Sequence, residues 1–123
     1  AKPLPPLDGT LEMSPAALAA FSGDFGRLLT GTPTAVLRPG SVKDIVKMVR
    51  YARHNGLTIA MNGQSGTDDE FESHSNFGQA LVPGGIAIDA RRLRTIHAID
   101  SGCADVDAGV TWSTSCTCRS AGR

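Results

Sequence analysis

The chain has 123 residues, enough for one domain with a small core, and 41% of them are hydrophobic. Twelve Lys and Arg balance twelve Asp and Glu, and aromatic residues make up 5%. That composition argues against a basic nucleic-acid face and against base-stacking platforms. No apolar run approaches the ~20 residues of a membrane span. The opening Ala1-Lys2-Pro3-Leu4-Pro5-Pro6 lacks the basic and then apolar stretch of a secretory leader, and fits an internal start or a processed end. The chain reads as a soluble, Gly-rich mixture of helix and strand, either cytoplasmic or exported after removal of a signal.

Residues 1–13 are Pro-rich and then polar, an extended lead-in. Ser14-Pro15 is a helix start, with Ser as the cap and Pro in the first turn. Leu18, Phe21, Phe25, Leu28 and Leu29 continue it near a 3.6 period, weakened by Gly23 and Gly26. Thr34 to Arg38 is a β-prone run stopped by Pro39-Gly40. Ser41 then opens the most legible helix, in which Val42, Ile45, Val46, Val49 and Ala52 form one apolar stripe. Arg50, Arg53 and His54 suit the negative end of its dipole, and Asn55-Gly56 supplies a left-handed stop.

Leu57 to Met61 is nearly all apolar, the pattern of a strand buried on both faces. Strand, helix and strand within about 28 residues predict a βαβ unit with parallel strands and a right-handed crossover. Gly85 to Asp89 reads as a further strand. Thr95 to Ile99 and Ala104 to Val110 read as two short strands joined through Asp100-Ser101-Gly102 as a hairpin.

The polar segment from Asn62 to Pro83 is where chemistry is expected, since α/β proteins place ligand loops beyond the carboxyl end of a strand. In Asn62-Gly63-Gln64-Ser65-Gly66-Thr67 the glycines let backbone N–H groups approach an anion, and the Ser, Thr and Gln side chains add donors. On spacing alone an ordinary polar loop is the favoured reading, because neither G-x-G-x-x-G nor a P-loop lysine occurs. A nucleophile elbow at Ser65 would place β-branched Thr67 where a small residue is needed. Asp68, Asp69, Glu70 and Glu72 with His74 lack the spacing of a calcium loop. Cys103, Cys116 and Cys118 make neither a disulfide framework nor a zinc pattern, so no metal site is read. His54 suits its helix end and His97 a strand surface, whereas His74, between two serines, is placed for acid–base or nucleophilic work.

Taken together, several motifs resemble a known family. They are Arg38-Pro39-Gly40-Ser41-Val42-x-Asp44-Ile45, Gly56-Leu57-x-Ile59-Ala60, Ser73-His74-Ser75-x-x-Gly78-Gln79, Gly84-Gly85-Ile86-x-Ile88-Asp89 and Val106-Asp107-Ala108-Gly109-x-x-Trp112. They resemble the N-terminal part of the FAD-binding domain of vanillyl-alcohol-oxidase and para-cresol-methylhydroxylase (PCMH) type flavoproteins. The likeness is greatest to bacterial relatives of cytokinin dehydrogenase and to berberine-bridge-type oxidases, and it covers roughly residues 7 to 112.

The resemblance implies an α+β fold: a partial PCMH-type domain with one βαβ unit followed by short antiparallel strands. It implies FAD as cofactor, contacted by Gly63, Gln64, Ser65, Gly66, His74, Ser75 and Gln79, with His74 a candidate for covalent attachment to the flavin. It implies an FAD-dependent oxidoreductase whose small-molecule substrate is met by a second domain absent here, so no catalytic residue is named and the chain alone is expected to be inactive. The alternative is a small non-enzymatic binding module, or a degenerate remnant that no longer holds flavin. Two departures bear on that choice: Asn62 stands where the family commonly has Arg, and Thr67 to Glu72 inserts four acids before His74. The expected organisation is a lead-in with a short helix over 1–33, the FAD-binding portion over 34–112, and a tail over 113–123. That tail, with no large apolar residue, reads as flexible or as a foreign, frame-shifted ending.

Overall fold

A computed structural model describes residues 3–24, 26–62 and 77–110. Three short strands run parallel at the centre: β2 (Ala35–Arg38), β3 (Ile59–Asn62) and β4 (Ile86–Asp89). β1 (Thr10–Glu12), which the sequence does not signal as a strand, pairs antiparallel with β2, and the order across the sheet is β1-β2-β4-β3. The βαβ unit is present, since β2 and β3 point the same way, but β4 inserts between them. That insertion corrects one expectation. β4, with Ile86, Ala87, Ile88 and Asp89 all buried, is covered on both faces, as is β2 at Ala35, Val36 and Leu37. β3 lies at the sheet edge, half-buried at Ile59 and Ala60 and exposed at Met61.

Alternation along the strands sorts two cores. Leu37, Ile86 and Ile88 face Met48 and Ala52 of the helix α2 (Val42–Asn55). Val36 and Ala87 face the other way, against Phe21 and Val82, with Leu18 and Ala60 alongside. Phe21 follows the helix α1 (Pro15–Ala20), whose Ser14 hydroxyl accepts from the Ala17 N–H at 3.3 Å, as the capping pattern predicts. α1 ends well before the predicted stripe does. The Asp24 carboxylate accepts the N–H groups of Leu28 (2.8 Å) and Leu29 (3.4 Å), an alternative to helical bonding, and both leucines are exposed. Phe25 lies outside the described residues.

α2 stops as predicted at Gly56, whose φ of 66° is left-handed. Its buried face is not the valine stripe. Val42, Val46 and Val49 are exposed, and Asp44, Met48 and Ala52 are buried. Asp44 causes the rotation. Its carboxylate accepts backbone N–H groups from Asp8 (2.8 Å), Gly9 (2.7 Å) and Gly40 (2.9 Å), which turns the helix by about one residue toward the Asp44 side. A Cβ on Gly9 would overlap the Arg38 carbonyl, so only glycine lets the lead-in come this close. Ser41, freed from capping its own helix, donates to the Asp8 carboxylate at 2.8 Å.

After β4 a 3-10 turn (Ala90–Arg92) leads to a separate hairpin of β5 (Ile96–Ile99) and β6 (Ala104–Val106). The predicted turn forms through Asp100, whose carboxylate accepts the N–H groups of Gly102 and Cys103, both at 2.8 Å. The tail, like residues 63–76, lies outside the described residues.

Two outcomes test this packing. Met48→Asp should abolish the cooperative urea transition followed by circular dichroism, whereas Val46→Asp should change stability by less than about 0.5 kcal/mol, the reverse of what the valine stripe predicts. Asp44→Asn should cost about 3 kcal/mol at neutral pH by turning an amide N–H toward buried donors. Burial alone would raise the Asp44 pKa, but the N–H groups of Asp8, Gly40 and Gly9, with Lys47 nearby, hold it below the ordinary 3.8. Its ionised form therefore stabilises the fold fully above pH ~4 and loses that effect as pH falls further, so the asparagine variant should show a flatter acid limb.

Candidate functional site

The three parallel strands end side by side in Arg38, Asp89 and Asn62, with Asn62 in register with Asp89 and Leu37 with Ile88. This carboxyl edge is where open parallel sheets place ligands. Asp89 is buried there, and Arg91 grips it as a fork: Nε lies 3.0 and 2.9 Å from the two carboxylate oxygens and a terminal nitrogen 2.7 Å from one. The Arg91 N–H adds a fourth bond at 3.1 Å. Arg38 completes the charge balance, 3.6 Å from Asp89 and 3.5 Å from Glu12. The sequence reading passed over this cluster. Its signal was present as an acid closing an apolar strand, with Arg two residues on.

Asn62, where the family commonly has Arg, is also buried, and its side-chain amide donates to the Ala80 carbonyl at 3.4 Å. That bond joins the start of the segment 63–79 to its return. Of the predicted cofactor contacts, Gln79 is described. It sits exposed in a turn with Phe77, Gly78 and Ala80, beside the carboxyl end of β3. Gly63, Gln64, Ser65, Gly66, His74 and Ser75 lie outside the described residues, as does the acidic run Asp68–Glu72. From Ala80 the chain descends to Gly85, whose carbonyl accepts from the Thr34 N–H at the opposite end of the sheet.

Away from this edge, His97 and Asp107 meet on the hairpin at 2.8 Å, and the Thr95 N–H donates to the same carboxylate at 3.1 Å. The Asp107 hydrogen bond raises the His97 pKa above 6.5, and the same bond lowers that of Asp107. The His97 ring is about half exposed, and the Asp105 carboxylate also favours its charged form. Among the described residues, no three His, Cys, Asp or Glu side chains converge as a metal site would require.

A parallel sheet whose carboxyl edge leads into a glycine-rich sequence is an architecture in which nucleotide cofactors are commonly bound. The chain belongs to the FAD binding domain family, whose model matches residues 33–115. It is 34% identical over 96 residues to an uncharacterized oxidoreductase, ORF5 in the fasciation locus of Rhodococcoides fascians, covering 78% of this chain and 20% of that protein. It is 35% identical over 109 residues to cytokinin dehydrogenase 2 of Arabidopsis thaliana, covering 86% of this chain and 20% of that one. Among solved structures, 6-hydroxy-D-nicotine oxidase from Arthrobacter nicotinovorans superimposes with a TM-score of 0.66 at 30% identity, over 89% of this chain and 23% of the oxidase. p-Cresol methylhydroxylase does so with a TM-score of 0.68 at 16% identity, over 91% of this chain and 22% of that chain, a likeness of fold. The PCMH-type α+β fold and the FAD-binding character expected from the motifs both hold. The chain spans about a fifth of the length of these relatives.

The hairpin yields a direct check on its ion pair. A proton titration of the His97 ring by NMR should give a pKa above 6.5 in the wild type, and Asp107→Asn should bring it down toward that value. Because the folded pKa is raised, the pair stabilises the hairpin below pH ~6.5 and releases it as pH rises through the folded pKa.

Proposed function

We propose that this chain supplies the FAD-binding portion of a flavin-dependent oxidoreductase, with the segment between Asn62 and Ala80 as the cofactor's cradle. The observation that carries this reading is the convergence of the family match over residues 33–115 with a glycine-rich segment rooted at the carboxyl edge of three parallel strands. The donor set fits a pyrophosphate. By residue type, Gly63 and Gly66 bring N–H groups with no side chain beside them, Ser65 and Ser75 bring hydroxyls, and Gln64 and Gln79 bring amides, all of them neutral donors. In this reading the Asn62–Ala80 bond ties the two ends of the cradle together, the Asp89–Arg91 clamp braces the adjoining strand, and His74 is the candidate for covalent attachment. Bound FAD would supply hydride acceptance and electron return, which no side chain of this chain provides. A substrate pocket and a second wall for the flavin would come from sequence outside these residues, as the fivefold greater length of the relatives suggests.

Asp68, Asp69, Glu70 and Glu72 favour a second reading, a degenerate remnant of this family that no longer holds flavin. Each acid near a pyrophosphate would cost roughly 1 kcal/mol when partly screened. A titration separates the two readings. FAD added to the purified 123-residue chain should bind with a Kd in the micromolar to millimolar range and undergo no substrate-dependent reduction under anaerobic conditions. Replacing the four acids by their amides should tighten binding, while no binding by either form would establish the remnant. For His74, acid precipitation and peptide mass measurement of a longer natural form would find flavin on the peptide that contains it. Flavin recovered wholly in the supernatant would exclude the bond and leave the binding reading intact.

A further inference from the structure

Two non-glycine residues have left-handed backbone among those described, Arg27 and Phe77, both at φ 54°. Arg27 leads into two exposed leucines, and Phe77 is itself exposed. Leu28 is 71% exposed, Leu29 48% and Phe77 77%. The two loops abut: a Cβ on Gly78 would lie 2.9 Å from Leu29 Cδ1 and 3.3 Å from Leu81 Cδ1. The leucine loop is also held outward by built contacts, with Asp24 accepting the N–H groups of Leu28 and Leu29 and the Gly31 N–H donating to the Ser22 carbonyl at 2.8 Å. A bulky ring in the left-handed region, gaining no burial for it, is a conformation that folding alone does not favour. The Asn62–Ala80 bond brings this turn to the carboxyl end of β3, and in sequence Phe77 falls between Ser75 and Gln79.

We propose that Leu28, Leu29 and Phe77 form an apolar platform for the isoalloxazine ring of FAD, the strained Phe77 being kept for that contact. This rests on the flavin reading above and extends the site to the α1–β2 loop, whose Leu28 and Leu29 precede the family-matched region. The occupant is argued from its chemistry. A tricyclic ring system with a methylated edge has the breadth to cover two leucines and a phenyl ring, whereas the ribityl chain and pyrophosphate require the polar donors of the neighbouring segment.

Binding of FAD and of ADP, which lacks the flavin ring, would be measured by equilibrium dialysis on the wild-type chain, Phe77→Gly and Leu28→Ser, with melting temperatures recorded for all three. Glycine accepts φ 54° without strain, so Phe77→Gly should melt higher than wild type while its FAD Kd rises about tenfold and its ADP Kd stays unchanged. Leu28→Ser should melt like wild type and show the same selective loss. Equal losses for FAD and ADP would mean that Phe77 merely shapes the polar segment, which overturns the platform. Unchanged FAD affinity in both variants overturns it while leaving the flavin reading standing. A wild-type chain that binds ADP but gains nothing from the flavin ring overturns it as well, and a chain that binds neither removes both readings together.

Discussion

Three backbone N–H groups converge on the carboxylate of Asp44, and most of the architecture follows from satisfying that one buried charge. The Asp8–Gly9 turn must lie against the Pro39–Gly40 turn, which sets β1 beside β2 in register Leu11 to Leu37. The first turn of α2 must point its third residue inward, which decides that Met48 and Ala52 reach the sheet and the valines do not. A buried anion without these donors would cost several kcal/mol, so the lead-in behaves as part of the domain rather than as an appendage. Lys47 reinforces this from the helix surface by donating to the Pro6 carbonyl at 2.8 Å.

The elements were legible where local chemistry decides them. Ser14-Pro15, Asn55-Gly56 and Asp100-Ser101-Gly102 fix a cap, a stop and a turn by groups within a few residues of one another, and all three form as read. What misled was the assumption that apolar residues define a helix's inner face. Asp44 is polar in any hydropathy count, yet it is buried because its partners arrive from residues 8, 9 and 40. The same long-range blindness applied to the sheet. Leu57–Met61 and Gly85–Asp89 look alike in sequence, and only pairing shows that the second is the central strand and the first the edge. The motifs located the FAD-binding domain, and the structure adds what holds the carboxyl edge of its sheet: the Asn62–Ala80 bond and the Asp89–Arg91 clamp.

That edge is unusual in its charge. The carboxyl edge carries Arg38, Asp89 and Arg91, but the arginines are committed to carboxylates of the protein itself. A pyrophosphate held here would be bound by dipoles more than by cations. Such a cradle depends on the orientation of N–H groups and hydroxyls, which makes it sensitive to the rigidity of the strands beneath it and to any acid brought near.

The hairpin of β5 and β6 forms a sheet separate from the main one, its open end closed by the Gly109 N–H on the Leu93 carbonyl and the Asp107 N–H on the Thr95 carbonyl. Its residues are mostly exposed on both faces, and a two-stranded ribbon of this size has little stability of its own. In hydrogen–deuterium exchange it would behave as a separate unit, surrendering its amide protons through local openings while those of β2 and β4 wait for the whole domain to unfold. The domain thus combines a slow-exchanging sheet with an easily opened wing, which gives it two distinct lifetimes of structure.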